Sequence, residues 1–172
     1  MIKTLFRGLA FALAFVPFAG NAEPIKLKLS FFSSDRSMSY QAAVKPFFDA
    51  VNAEAKGLIE IEPYFSGALG KELPLQPNLV VDGTADIAYV IAGLTRNRFP
   101  DNSIVEMPGL YRNMHEATLV FTRLTTAGAL KGYEDFFVIG AYVTELESVH
   151  SRTPIASLED LRGKKIRVNN PG

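Results

Sequence analysis

The chain has 172 residues, with eighteen basic and eighteen acidic side chains that cancel at neutral pH, and it contains no cysteine. A balanced charge without any Lys/Arg block gives no footprint for nucleic acid or an anionic membrane. The lack of thiols excludes disulfides, thiolate catalysis and Cys-ligated metals within these residues, so the fold must be held by packing.

Residues 1–22 have the order of an export signal. Lys3 and Arg7 form a basic start, residues 8–18 an apolar run, and Gly20, Asn21 and Ala22 a small-residue cleavage site before Glu23-Pro24. That order predicts a signal peptide cleaved after Ala22 and a protein working in the periplasm. The apolar run is short for a membrane span, which needs about 18 or more apolar residues. Residues 23–172 remain, enough for one hydrophobic core.

Ile25, Leu27 and Leu29 alternate with Lys26, Lys28 and Ser30, predicting a strand that runs on into Phe31-Phe32. Residues 39–55 carry apolar side chains at helical spacing. Pro46 would cost about 3 kcal/mol inside that helix, so the helix begins near Lys45 or bends there. Gly57 stops it, and residues 58–64 read as a second strand. A helix is expected over 73–81, then short strands over 86–91 and 103–107. The longest helix is expected over 113–131, followed by a strand over 136–142. Ser157 and Asp160 have the spacing of a helix-capping box, and residues 164–168 read as a last strand.

Strands alternating with helices predict an α/β fold with a mostly parallel sheet flanked by helices. In such sheets ligands lie beyond the carboxyl ends of the strands. Four such ends are expected, at residues 32–34, 91–93, 142–145 and 167–170. Asn169-Asn170-Pro171-Gly172 reads as the start of a connection, so the chain is expected to be a fragment of a longer protein.

Catalytic patterns are thin. His115 and His150 lack metal-ligand spacing, no serine sits in a nucleophile elbow, and Gly67–Gly70 lacks a phosphate-loop or dinucleotide pattern. Glu60 and Glu62 share one side of a strand, which solvent exposure explains. No enzyme activity and no cofactor or metal is expected. Arg167 stands apart, because a guanidinium at a strand end can grip a carboxylate through two parallel charged hydrogen bonds. An exposed strand-end arginine is the competing reading. Asn170 beyond it offers both donors and an acceptor.

Several segments occur in a familiar order: IEIEPYFSGALGKE (59–72), VVDGTADIAYV (80–90), EMPGLYRN (106–113) and SLEDLRGKKIRV (157–168). In these the chain resembles the solute-binding proteins of tripartite ATP-independent periplasmic (TRAP) transporters, the dicarboxylate-binding DctP family. The resemblance implies a periplasmic binding protein-like, two-domain clamshell. Residues 23–142 would form its first lobe, and 143–172 the crossover and start of the second. It implies a receptor that delivers a small organic carboxylate to a TRAP membrane permease, with Arg167 as carboxylate anchor and Asn170 as a polar contact. Phe32, Ser33, Ile91 and Gly93 would line the same pocket.

The chain departs from the pattern of sialic-acid binders. Polar or charged pocket positions fall on Phe32, Ile91 and Leu94, and a second arginine position falls near Glu145 or Leu146, with Arg152 as a candidate substitute. These departures imply a monocarboxylate with an apolar or aromatic body. Two alternatives are a ligand-sensing subunit of a signalling system and a truncated, non-functional remnant.

Overall fold

The computed structural model describes residues 23–145 and 148–167. The expected signal peptide, Leu146, Val168, Asn170 and the terminal Asn-Asn-Pro-Gly connection lie outside the described residues.

Three parallel strands form the sheet: β1 (Ile25–Ser30), β2 (Ile59–Tyr64) and β3 (Ile87–Ala88), in the order β2-β1-β3. β1 and β2 pair along their whole length, from Ile25 opposite Ile59 to Ser30 opposite Tyr64, whereas β3 pairs only Ile87 with Leu29 and Ala88 with Ser30. Hence β1 is central, and the chain runs to one side for β2 and to the other for β3. That reversal makes the gap between the carboxyl ends of β1 and β3 the topological switch point, where a ligand crevice opens in α/β sheets.

Burial rises toward that end. Ile25 is exposed, Leu27 is half-buried, and Leu29, Ser30 and Phe31 are buried. Leu29, Phe31, Tyr40, Phe48 and Ile61 make the main core, with Val51, Phe65, Ile87 and Tyr89 packed against it. Phe31 is fully enclosed, which contributes about 3 kcal/mol by apolar transfer.

Proline decides how the first helical segment is built. A π-helical turn, Tyr40–Val44, leads into α1 (Lys45–Glu54), so that Pro46 falls in the first helical turn. Lys45 N–H still closes the π turn on Tyr40 O, and Pro46, which has no N–H, falls where that wider turn gives way to α1. Asn52 of α1 accepts from the Ile61 backbone at 2.9 Å and ties the helix to β2. The expected helix over 73–81 is likewise split, into a 3₁₀ turn Leu73–Leu75 and α2 (Gln76–Val81), each with its proline near its start.

The longest helix, α4 (Met114–Thr126), is shorter than the 113–131 expected, and its own signals set the limits. Asn113 Oδ1 caps the Glu116 N–H at 2.9 Å, and the Glu116 carboxylate accepts from the Arg112 N–H at 2.9 Å. At the other end Gly128 adopts φ +64. Ala129 N–H then reaches Leu124 O at 3.0 Å and Gly128 N–H reaches Thr125 O at 3.1 Å, a complete Schellman stop.

Four expected strands need correction. Residues 86–91 keep only the two-residue β3. Residues 103–107 lie mostly in a short helix, α3 (Asn102–Val105), because Ser103 and Ile104 bond back to Pro100 and Asp101 within one turn. Residues 136–142 form no strand: the segment is held to α4 by Thr118 and Thr122, which bond Val143 and Ala141, instead of by a neighbouring ladder. Residues 164–167 are also outside any strand. A strand exists only with a pairing partner, which an alternating pattern alone does not supply. The Ser157–Asp160 box is half realised. Asp160 accepts from the Ala156 and Ser157 N–H groups and from the Ser157 hydroxyl, so the aspartate, not the serine, does the capping ahead of the turn Glu159–Leu161. These bonds hold its carboxyl below the usual range.

Candidate functional site: the crevice at the carboxyl ends of β1 and β3

Two of the four expected strand ends are real and adjacent. Beyond β1 stand Phe31, Phe32 and Ser33, and beyond β3 stand Tyr89 and Ile91. A hydrogen bond from Tyr89 N–H to Ser30 O, 3.0 Å, locks the two exits side by side. Phe31 faces the core, while Phe32 is half-buried and stacks on it at 5.8 Å with a 3° interplanar angle.

Aromatic rings run on from there. Phe32 lies 5.5 Å from Tyr89, and Tyr89 lies 6.4 Å from Tyr142. The hydroxyls of Tyr89 and Tyr142 are hydrogen-bonded to each other. Burial, reinforced by the bond to Tyr142, pushes the Tyr89 phenol up to about 12, and a hydrogen bond from Ser39 acts in the opposite direction. Tyr142 is brought to this position by the Thr118 and Thr122 bonds that fasten residues 141–143 to α4. Ile91 is 39 % exposed at the rim, just before a 3₁₀ turn, Ala92–Leu94.

The loop after β2 closes one side. Ser33 O accepts from Ser66 N–H at 2.9 Å, and Ser66 and Gly67 have φ values of +55 and +70. A 3.0 Å bond from Ala68 N–H to Phe65 O completes the turn. Two consecutive residues in the left-handed region are a type I′ arrangement, which explains the glycine. Below the loop Gln76 is wholly buried and fully used. Its Oε1 accepts from Ser30 Oγ, and its Nε2 donates to the carbonyls of Gly70 and Glu72.

Gly93 sits against the Glu106 carboxylate, whose Oε1 would lie only 2.2 Å from a β-carbon placed there. Gly93 and Leu94 also border a cavity of about 410 Å³ lined by Asn78, Arg96 and Arg98. Arg98 is occupied on one side by Asp135, at 2.5 Å, and its guanidinium lies 5.0 Å over the Phe136 ring.

The sequence-predicted residues therefore divide. Phe32 and Ser33 follow β1 and Ile91 follows β3, at the two neighbouring strand exits, with Gly93 in the turn after Ile91. Arg167 is exposed, with no ion pair or hydrogen bond among the described residues. Asn170 lies outside the described residues. Tyr89, Tyr142 and Gln76 were not singled out by sequence. Tyr89 could have been, since Ile87, Tyr89 and Ile91 share one side by strand alternation. The Thr118/Thr122 spacing likewise marks one face of α4. Gln76, between prolines, carries no such signal. Among the described residues no cluster of His, Asp and Glu could hold a metal ion.

Residues 29–172 match the family described as bacterial extracellular solute-binding protein, family 7 (DctP). The chain belongs to this family. The family is described as one of bacterial extracellular solute-binding proteins, which puts the chain in the periplasm. The protein is 29 % identical over 154 residues to a protein of Salmonella typhimurium strain LT2 named "Uncharacterized protein YiiZ", covering 81 % of this chain and 47 % of that one.

It is also similar to the crystal structure of a TRAP solute-binding protein from an unidentified marine metagenome microbe, described as specific for aromatic acid ligands. With metahydroxyphenylacetate bound, the identity is 30 % and the TM-score 0.57, over 61 % of this chain and 33 % of the other. With 3-hydroxybenzoate bound, the identity is 29 % and the TM-score 0.58, over 63 % and 34 %. The DctP chain thus spans about half the length of its curated relative and a third of that of the solved structures.

Proposed function

We propose that this DctP chain supplies one wall of a cleft that captures a monocarboxylate with an aromatic body and delivers it to a TRAP membrane permease. Residues 1–22 would be the signal peptide, 23–142 the first lobe, and 143–172 the crossover into a second. The observation that carries the reading is the run Phe32–Tyr89–Tyr142 at the switch point of the sheet. A flat apolar ligand gains both buried area and ring contacts there, worth about 0.5–1.5 kcal/mol per aromatic pair beyond area alone. Further support comes from the aromatic acids bound by the similar marine protein.

Arg167 takes the carboxylate in two parallel charged hydrogen bonds, Asn170 adds a polar contact, and Phe32, Ser33, Ile91 and Gly93 border the body of the ligand. Closure of a second lobe excludes water and strengthens the ion pair. The test is calorimetry of the full-length protein with benzoate, 3-hydroxybenzoate and succinate. Benzoate or its hydroxy derivative is expected to bind, and succinate to bind at least tenfold more weakly. Arg167→Ala is expected to cost about 2–5 kcal/mol of affinity. A preference for succinate defeats the aromatic assignment, and unchanged affinity in the arginine variant defeats the anchor.

A further inference from the structure

The Tyr89–Tyr142 pair has two hydroxyl protons, and the bond between them uses one. Tyr89 is the inner member. It packs against the core cluster. Tyr142 is the outer member, 40 % exposed. Its backbone is not free to drift, since Ala141 and Val143 on either side are fastened to α4 by threonine hydroxyls. The remaining hydrogen-bonding capacity of the pair is therefore held at a fixed place, beside the rings and away from the core.

Resting on the reading of the crevice as an aromatic-acid site, we infer that Tyr142, backed by Tyr89, is a specificity-determining residue that recognises a hydroxyl on the ligand ring. A ring hydroxyl both donates and accepts, so it can bond Tyr142 in either sense. A chain Tyr89–Tyr142–ligand lets one bond polarise the next. The unsubstituted ring offers nothing in return and leaves the phenol to water. Such a site favours a hydroxylated aromatic acid over its parent.

The test compares benzoate and 3-hydroxybenzoate by calorimetry on the full-length protein and on Tyr142→Phe, with Tyr89→Phe as the second variant. Circular dichroism confirms that each is folded. Wild type is expected to bind 3-hydroxybenzoate about tenfold more tightly than benzoate, the value of one hydrogen bond. Tyr142→Phe should bring the ratio of the two affinities to about one. Tyr89→Phe should reduce it in part. Equal affinities in wild type, or equal losses for both acids in Tyr142→Phe, overturn the assignment of Tyr142 yet leave the aromatic-acid reading standing. Binding of neither acid to wild type removes both.

Discussion

Ser30 Oγ donates a 2.8 Å hydrogen bond to Gln76 Oε1, joining the last residue of the central strand to the first residue of α2 in a site closed to water. Because Gln76 also serves the carbonyls of Gly70 and Glu72, one side chain holds the strand end, the loop after β2 and the start of α2 together. Gln76→Leu keeps the size but orphans three polar groups. It is expected to lower unfolding free energy by about 2–4 kcal/mol, read from urea melts. Ser30→Ala leaves Gln76 with its two donor bonds and should cost about 1–2 kcal/mol. A double-mutant cycle that sums without coupling would show that the two residues do not act as a pair.

Gly132 is required by space as well as by conformation. Its φ is +93, and an added β-carbon would lie 1.8 Å from Arg98 O. Backbone, unlike a flexible side-chain tip, cannot swing aside. Gly132→Ala is therefore expected to cost about 3 kcal/mol, through strain at positive φ plus displacement of the 98–99 backbone. Gly83→Ala is the control: its φ is +75 but nothing stands within 4 Å, so it should lose only about 1 kcal/mol. Equal melting temperatures for the two variants would remove the steric part of this account.

Much of this architecture is legible in the chain, and what is not has a physical cause. The β1 alternation, the Lys45 start of α1 and its stop before Gly57 come from local rules, namely face periodicity, proline geometry and a left-handed glycine (φ +82). They hold because they need no distant partner. Residues 136–142 and 164–167 show the opposite case. Their apolar runs fit a strand, but a strand forms only against a neighbour, and residues 136–142 are held to threonines of α4 instead. At the site, Phe32 and Ile91 follow from topology, because the carboxyl ends of neighbouring parallel strands must meet. The pairing of Tyr89 with Tyr142 joins residues far apart in the chain, and no local pattern specifies it.

Four of the six tyrosines should titrate late, Tyr40 and Tyr111 among them through burial. Burial, aided by Tyr142, pushes Tyr89 up to about 12, and burial raises Tyr133 to about 12. An unfolded tyrosine loses its proton near pH 10. Between about 10 and 12 the unfolded chain therefore holds fewer protons than the native one, and the stability–pH slope is negative. Stabilisation from these two phenols is complete below pH 10 and disappears as pH passes through 12. Absorbance at the phenolate band should resolve a late fraction in native protein that merges with the rest in denaturant. Tyr89→Phe should remove part of that fraction. A single native transition near pH 10 would contradict the buried placement of both rings.

Glu106 is an acidic group beside the proposed ligand border, its carboxylate resting over Gly93. An anion held in the crevice feels its repulsion. In a near-aqueous dielectric such a repulsion amounts to about 0.5 kcal/mol, rising as water is excluded. Glu106→Gln removes the charge at nearly constant shape, so benzoate affinity should rise about twofold to fivefold in the full-length protein. The gain should shrink at high salt, where screening already weakens the repulsion. An arrangement in which Glu106 instead bonds the ligand directly predicts the reverse, a loss of affinity in Glu106→Gln. The sign of the change thus tells whether Gly93 lies at the edge of an anion site or whether the carboxylate beside it belongs to the binding set.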